Sequence, residues 1–561
     1  MKKVNPFKRL WDLILLDRSD IIAVYFYAML SGLVNLSLPL GIQAIIGFVL
    51  GASMVTSIYV LITLVVTGVV VVGLMQINQM RIIEKIQQKI FTRYAFEFAD
   101  KIPRFDLIKT DKFYLPEKVN RFFDVLNVQK GLSKLLLDVP AASIQIVFGL
   151  MLLALYHSFF IVFGLTLIVV LTIIFRLTGT KGLDTSLEES VHKYKTVAWL
   201  QEMARVINPF KLSYDTHFNL TRTDVHVNEY LNSRTEHFSV LLLQYKTLVF
   251  TKVAITTAML AGGAFLLLRQ QLNIGEFIAA EIVVLAVINA VEKLIVNLDT
   301  VYDVVTGLEK LASVTENLSE KDGTLPVDSA GKGVAIELQN FSFSFPDNRN
   351  VFSGINLQIP AGSLVGVSTM GRLGKSTFLK ILAGHYQDFS GSLLFNKVPL
   401  CNYRLAALRM KMGLYLNQRE VFTGTVWDNI IDGRSHITSE EIIDLAEQSG
   451  LSGFLDQLPQ GFQTQVAPHG KNLPGHYIKR ISLLRALLNK PRLLLLEDPW
   501  EGLAGHERQK LTQYLTGRPN DATVIVAGSE PAFLKACDYQ ILLSNGTATL
   551  TENIENGSGE L

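Results

Sequence analysis

The stretch Val365 to Leu382, VGVSTMGRLGKSTFLKIL, decides how the chain is read: an apolar strand-like entry runs through a turn into an amphipathic helix. Its core, Gly374-Lys375-Ser376-Thr377, is the chemically informative half of a phosphate-binding loop. Backbone N–H groups at the start of such a helix wrap a β-phosphate, the lysine reaches the β/γ oxygens, and the serine hydroxyl sits on Mg²⁺. Gly371 and Gly374 are the loop glycines. The complete pattern asks for a further Gly six residues ahead of Lys375, where this chain has Thr369, and for a small residue where it has Arg372. A polar helix N-terminus without nucleotide is the plainer alternative.

Working outward, Leu493-Leu494-Leu495-Leu496-Glu497-Asp498-Pro499 is four leucines ending in two carboxylates. That is the pattern of a buried central strand delivering acidic groups to a Mg²⁺ site. Between the two lies Tyr415-Leu416-Asn417-Gln418-Arg419, and later Leu473-Pro474-Gly475-His476-Tyr477 precedes the helix-like RISLLRALL. The order of these motifs resembles that of an ATP-binding cassette (ABC) domain, with Gln418 at the Q-loop glutamine and Leu473 to Tyr477 where the family carries LSGGQ.

The resemblance implies a site. ATP and Mg²⁺ would be held by Gly371, Gly374, Lys375, Ser376 and Thr377, with Ser376, Gln418 and Glu497 on the metal and Gln418 beside the attacking water. Phe345, just before Pro346, would stack on adenine, although a strand aromatic that only packs is an equal alternative. Leu473, Gly475 and His476 would serve the nucleotide of an opposing subunit. The family's acidic pair reads Asp then Glu, whereas here Glu497 precedes Asp498. Asp498, the general-base candidate, is thereby one methylene short, and a misplacement of about 1 Å costs on the order of 100-fold in rate. A histidine expected after Thr523-Val524-Ile525-Val526-Ala527 is replaced by Gly528, followed by Ser529. Losing one such transition-state contact costs about 2.7–4 kcal/mol. Pro474 removes a hydroxyl and a backbone donor from the signature, and Glu501 to Ala504 and Ala467-Pro468 also depart from the family. Weak or non-hydrolytic nucleotide binding is the expectation.

The first half is of another kind. Over the 561 residues, 49% are apolar and mean hydropathy is +0.31, too hydrophobic for one ordinary soluble domain. A net charge of +2 gives no reason to expect nucleic acid as a partner, and Cys401 and Cys537 need no disulfide. Six apolar segments of spanning length run at about 21–46, 55–76, 134–156, 158–178, 246–268 and 275–298. Short links alternate with long basic ones at about 77–133 and 179–245, which places the long links and both termini on the cytoplasmic side. Basic residues around Phe7, Leu10 and Trp11 suit a surface elbow helix over 1–20. Pro116 and Asn208-Pro209 are breakers suited to short crossing helices at the link tips, which the resemblance makes coupling helices. Of the ionisable groups inside the spans, Lys134, Asp138, Lys252, Glu281, Glu292 and Lys293, the two deeper ones are Lys252 and Glu281.

Periodicity stops over 315–333, where Gly, Pro, Ser and charges take over. The expected layout is therefore an elbow at 1–20, an α-helical six-span membrane domain of exporter type at 21–314, a linker, and an α/β P-loop cassette at 334–561. Short strands Ile336-Glu337-Leu338 and Phe341 to Phe345 open that cassette. The resemblance implies a half-transporter of the cell (inner) membrane, similar in layout to type I secretion exporters but without a leading peptidase-like domain. It would work as a homodimer or with an intact ABC subunit, with a periplasmic adaptor as a further partner. The alternative is a catalytically inactive ABC-like scaffold in a larger envelope complex. Cargo is not legible.

Overall fold

The computed structural model describes residues 6–35, 37–50, 55–111, 113–316, 318–327, 333–369, 374–488 and 490–553. Gly371 and Arg372 thus lie outside the described residues, as do Lys2 and Lys3. The chain forms two compact units, one of residues 1–103 with 113–318 and one of residues 104–112 with 319–561.

The first unit is helical. After α1 (Pro6–Leu16) come α2 (Arg18–Asn35), α3 (Ser37–Leu50) and α4 (Val55–Lys101). Past the short α5 (Leu107–Thr110), which belongs to the second unit, follow α6 (Leu115–Val119), α7 (Asp124–Tyr156), α8 (Phe159–Arg205), α9 (Ile207–Leu212), α10 (Phe218–Leu268) and α11 (Ile274–Thr315). Six stretches are long and apolar enough to cross a membrane, among them Arg18–Val49, Thr56–Arg104 and Ile274–Thr315. At 47 residues α4 is about 70 Å long, more than twice an apolar bilayer thickness of about 30 Å.

Helices this apolar gain little by leaving lipid for one another, so close packing and buried polar contacts must hold the bundle. Both are present. A Cβ at Gly149 of α7 would stand 2.5 Å from Val287 of α11, so the absent side chain lets the two backbones approach. Buried Gln244 donates to Thr178 Oγ1 at 2.7 Å and to the Tyr302 hydroxyl at 3.0 Å, tying α10 to α8 and α11. The start of α11 is set by a capping box, Asn273 Oδ1 accepting from Glu276 N at 2.8 Å and Glu276 Oε2 from Asn273 N at 2.9 Å.

Lys252 pairs with Glu292, at 3.2 Å, and not with Glu281; the two meet across the packed α10 and α11 faces, whereas Glu281 makes no ion pair among the described residues. The breaker Pro116 does lie in a short helix, at the first turn of α6; the segment of the first link that belongs to the second unit is 104–112. Proline at a helix start is tolerated, because the N–H it lacks would be unsatisfied there anyway. Asn208 and Pro209 do form a short helix, α9.

The second unit is an α/β sandwich around a six-stranded sheet. In spatial order its strands are Thr547–Glu552, Tyr539–Ser544, Leu364–Thr369, Thr523–Ala527, Leu493–Glu497 and Met412–Tyr415. All but the edge strand Thr547–Glu552 run parallel, and alternation splits them between two cores. Val365, Val367, Leu493, Leu495 and Ile525 face one; Leu364, Leu494, Leu496, Val524 and Val526 face the other. A smaller antiparallel sheet includes Ile336–Ser344, one strand where two short ones were expected. Asn340 accommodates the intervening irregularity with φ 45°, a left-handed conformation that asparagine tolerates better than most residues.

The segment 104–112 completes this unit. Asp106 caps α5, accepting from Ile108 N at 3.0 Å and Lys109 N at 3.4 Å, and Ile108 is buried in the core beside the smaller sheet. Phe105 bridges Ser319, and Glu320 N donates to Arg104 O at 2.8 Å.

Candidate functional site

Parallel strands deliver their carboxyl ends to one edge of the sheet, where ligands of open α/β folds bind. Leu364–Thr369 leads towards the loop, and helix Lys375–Leu382 leaves it. Gly374 caps that helix at φ 111°, which favours glycine. Two strands away, Leu493–Glu497 ends in Glu497 and Asp498.

The tertiary fold joins the sequence motifs there. Ser376 Oγ donates to Glu497 Oε1 in a short contact, and Lys375 Nζ lies 3.6 Å from Asp498 Oδ2. A serine hydroxyl beside a carboxylate is a hard oxygen set, suited to Mg²⁺, which usually takes one or two carboxylates and completes its shell with phosphate oxygens and water. Thr377 lies in the first turn of the same helix. The Lys375–Asp498 pair is partly exposed, so its own contribution to stability is about 0–1 kcal/mol. Asp498 adopts φ 43° and donates its N–H to Ala527 O at 2.8 Å, which brings its carboxylate next to the following residue, Gly528.

Gly528 is buried. A Cβ added there would stand 3.2 Å from Asp498 Oδ1 and 3.1 Å from the Trp500 ring, so the missing side chain is matched by an indole that fills the space. Trp500 is itself buried, donates Nε1–H to Thr512 Oγ1 at 3.0 Å and packs on Phe533. Nothing in the local pattern around Trp500 announced this role.

Gln418 is exposed, and its side chain makes no hydrogen bond among the described residues. Its neighbour Asn417 makes the contacts instead: the backbone N–H donates to Glu497 Oε2 at 3.5 Å and Nδ2 donates to Glu501. Lys479, on helix Gly475–Leu487, reaches the same Glu501 at 2.8 Å. These two donors hold the Glu501 carboxyl below its ordinary range, Lys479 most strongly. A three-residue network thus ties the segment after Asp498 to the Q-loop position and to the helix behind Leu473.

Leu473, Gly475 and His476 stand together at the start of that helix, capped by Pro474, which has no N–H to offer. Their contacts include Gly470, Arg419 and Tyr477, and His476 O accepts from Arg480 Nη1 at 3.2 Å; among the described residues no hydrogen bond or ion pair joins them to Lys375, Ser376 or Glu497. Phe345 is also apart. It lies just beyond its strand with ring contacts to Phe343 at 5.2 Å and Tyr386 at 5.8 Å, and the Arg349 guanidinium lies over its ring at 4.6 Å.

A family model described as ABC transporter matches residues 352–501, which contain the loop, Gln418, the signature segment and both carboxylates. The C-terminal unit carries an ABC transporter domain. Such a domain binds ATP, usually with Mg²⁺. Across both units the structure is similar to a bacterial Atm1-family ABC exporter solved with ATP bound, with a TM-score of 0.83 over 96% of each chain at 15% identity. The chain therefore has the fold of an ABC exporter half, six membrane helices followed by one cassette. By sequence it is 28% identical over 308 residues to a probable ABC transporter ATP-binding/permease protein of Haemophilus influenzae, covering 54% of this chain and 55% of that one. It is 35% identical over 196 residues to ABC transporter B family member 21 of Arabidopsis thaliana, covering 34% of this chain and 15% of that one. The chain spans about half or less of the length of these curated relatives.

Proposed function

We propose that the chain is one half of a dimeric ABC exporter, with a nucleotide site that binds ATP and Mg²⁺ while hydrolysing slowly or not at all. The observation that carries this reading is the pairing of Gly528 with Asp498: the position that would place an imidazole at the γ-phosphate has no side chain, and Trp500 occupies the adjoining space. Lys375, Ser376 and Glu497 support retained nucleotide and metal contact. Asp498 is the weak general base, with Gln418 beside the water and on the metal. Gly371, Gly374 and Thr377 complete the phosphate cradle, Phe345 stacks on adenine, and Leu473, Gly475 and His476 face the partner's nucleotide.

In a homodimer both composite sites would carry every one of these changes, and the two largest alone lower hydrolysis by roughly 10⁴. With an intact ABC subunit, one site would combine that subunit's hydrolytic groups with this chain's altered signature. The membrane is the cell's inner one, with both termini and the cassette cytoplasmic, and the layout is of the type I secretion kind with a periplasmic adaptor as a further partner. The linker runs over 315–333, between a membrane domain from 21 and a cassette from 334.

The purified full chain in lipid is expected to hydrolyse ATP little faster than its Lys375→Ala variant; vigorous wild-type turnover abolished by that change would overturn the reading. A second reading, an inactive scaffold in an envelope complex, is favoured by Pro474 and the exposed His476 at the helix start. Purification from native membranes separates the two. Recovery with another cassette subunit supports transport, and recovery with envelope proteins alone supports the scaffold.

A further inference from the structure

Within the helical unit, α2, α3, α4, α7 and α11 enclose a cavity of about 540 Å³. This volume is within the range of small-ligand sites, about 300–1,000 Å³. Its wall is graded along the helices. Asp138 lies about 27 Å of helix from Tyr156 and Lys293 about 28 Å from Ile274, so both charges stand near one edge of an apolar layer about 30 Å thick. The amide of Gln76 joins them at that level, with Gln79, whose Nε2 donates to Val24 O at 3.4 Å; Gln145 stands deeper, and the inner wall towards the short links carries Leu38, Ile282 and Val283 with the one amide of Asn35.

The two charges share the cavity without pairing. Lys293 Nζ has no hydrogen bond or ion pair among the described residues. Asp138 is anchored from behind: Asn297, 2% exposed, donates Nδ2–H to Asp138 Oδ2 at 3.1 Å, which leaves Oδ1 without a hydrogen bond among the described residues. An uncompensated acid and an uncompensated base at the edge of hydrocarbon are costly, and such groups mark a ligand or a water path.

We propose that this cavity binds a zwitterionic aminophospholipid, with the ammonium on Asp138, the phosphate on Lys293 and the nearby amides, and an acyl chain against the apolar inner wall. A purely anionic lipid would meet the repulsion of Asp138. A soluble zwitterion would leave the apolar half of the wall without a partner. The depth of the charges selects a molecule that already resides at that level of a bilayer.

The test uses the full chain in detergent without nucleotide, with bound molecules counted by native mass spectrometry. The probes are dihexanoyl-phosphatidylethanolamine, dihexanoyl-phosphatidylglycerol, which lacks the amine, and glycerophosphoethanolamine, which lacks the chains. The first should be retained about tenfold better than either of the others. Asp138→Asn, which preserves an acceptor for Asn297, should erase the preference for the amine; Lys293→Gln, at an exposed position, should weaken both lipids. Equal retention of the two lipids by the wild type, an undiminished preference in Asp138→Asn, or equal binding of the chain-free headgroup would each overturn the proposal. Lys375→Ala should retain lipid like the wild type, so failure at this cavity and failure at the nucleotide site are separately visible.

Discussion

Gly528 and Asp498 are in direct contact: a Cβ at 528 would lie 3.2 Å from Asp498 Oδ1, with the Trp500 ring 3.1 Å away on another side. Both distances are tighter than ordinary van der Waals contact, so even a methyl group must displace a buried indole or the carboxylate. Overpacking of this kind costs about 1–3 kcal/mol. Gly528→Ala is therefore expected to lower the thermal stability of the cassette by that amount, read by the Trp500 fluorescence transition. Gly528→His alone is expected to give no gain in ATP turnover, because the ring has no space until Trp500 is also reduced.

Glu497 serves Ser376 and, through Asn417, the Q-loop region. Replacing it by Gln keeps the shape and removes the charge that a divalent cation needs. The expected outcome is a fall of about 10–100-fold in Mg²⁺-dependent ATP affinity, with the affinity in EDTA little changed. Calorimetric titration with and without the metal checks it.

Cys401 is exposed and Cys537 is buried against Phe533 O. Burial first, and Asp538 second, push the Cys537 thiol up to about 12. The thiolate is the reactive form, so at pH 8 a maleimide should modify Cys401 and spare Cys537 in the folded chain. Mass spectrometry of the labelled peptides reads the result, and labelling of both thiols before denaturation would contradict the packing described.

Burial is also the larger cause that pushes the His385 imidazole down to about 4, with Arg409 and Lys380 adding repulsion. The sign follows from proton counts. Between about pH 6.5 and pH 4 the unfolded chain binds a proton there that the folded chain does not, so stability falls as pH is lowered through that window. The loss approaches about 3 kcal/mol at most, and His385→Gln is expected to flatten this part of the profile in pH-dependent unfolding.

Much of this was legible in the residues. Long apolar runs mark membrane helices because length and hydropathy alone decide whether a segment can span lipid. GKST after an apolar strand and LLLLED at the end of another are strong because phosphate and Mg²⁺ binding need those groups at fixed offsets. The partner of Lys252 was not legible, since helix rotation and not sequence spacing chooses between Glu281 and Glu292. Neither was the Asn417–Glu501–Lys479 network, whose members come from three segments and follow no motif. Trp500 beside Gly528 belongs to the same class: one residue is lost, another fills its volume, and only the fold pairs them.

The placement of Ile108 in the core of the second unit has a consequence for how that unit is made and handled. A fragment beginning at Ser319 would expose apolar surface that Ile108 covers, and would lose the backbone bond from Glu320 to Arg104. During synthesis the ribosome emits 104–112 long before the strands that will receive it, so this short peptide waits while four further long helices emerge. Closing so distant a contact is slow, and a graft of residues 104–112 onto an excised domain should rescue its solubility more than any surface change.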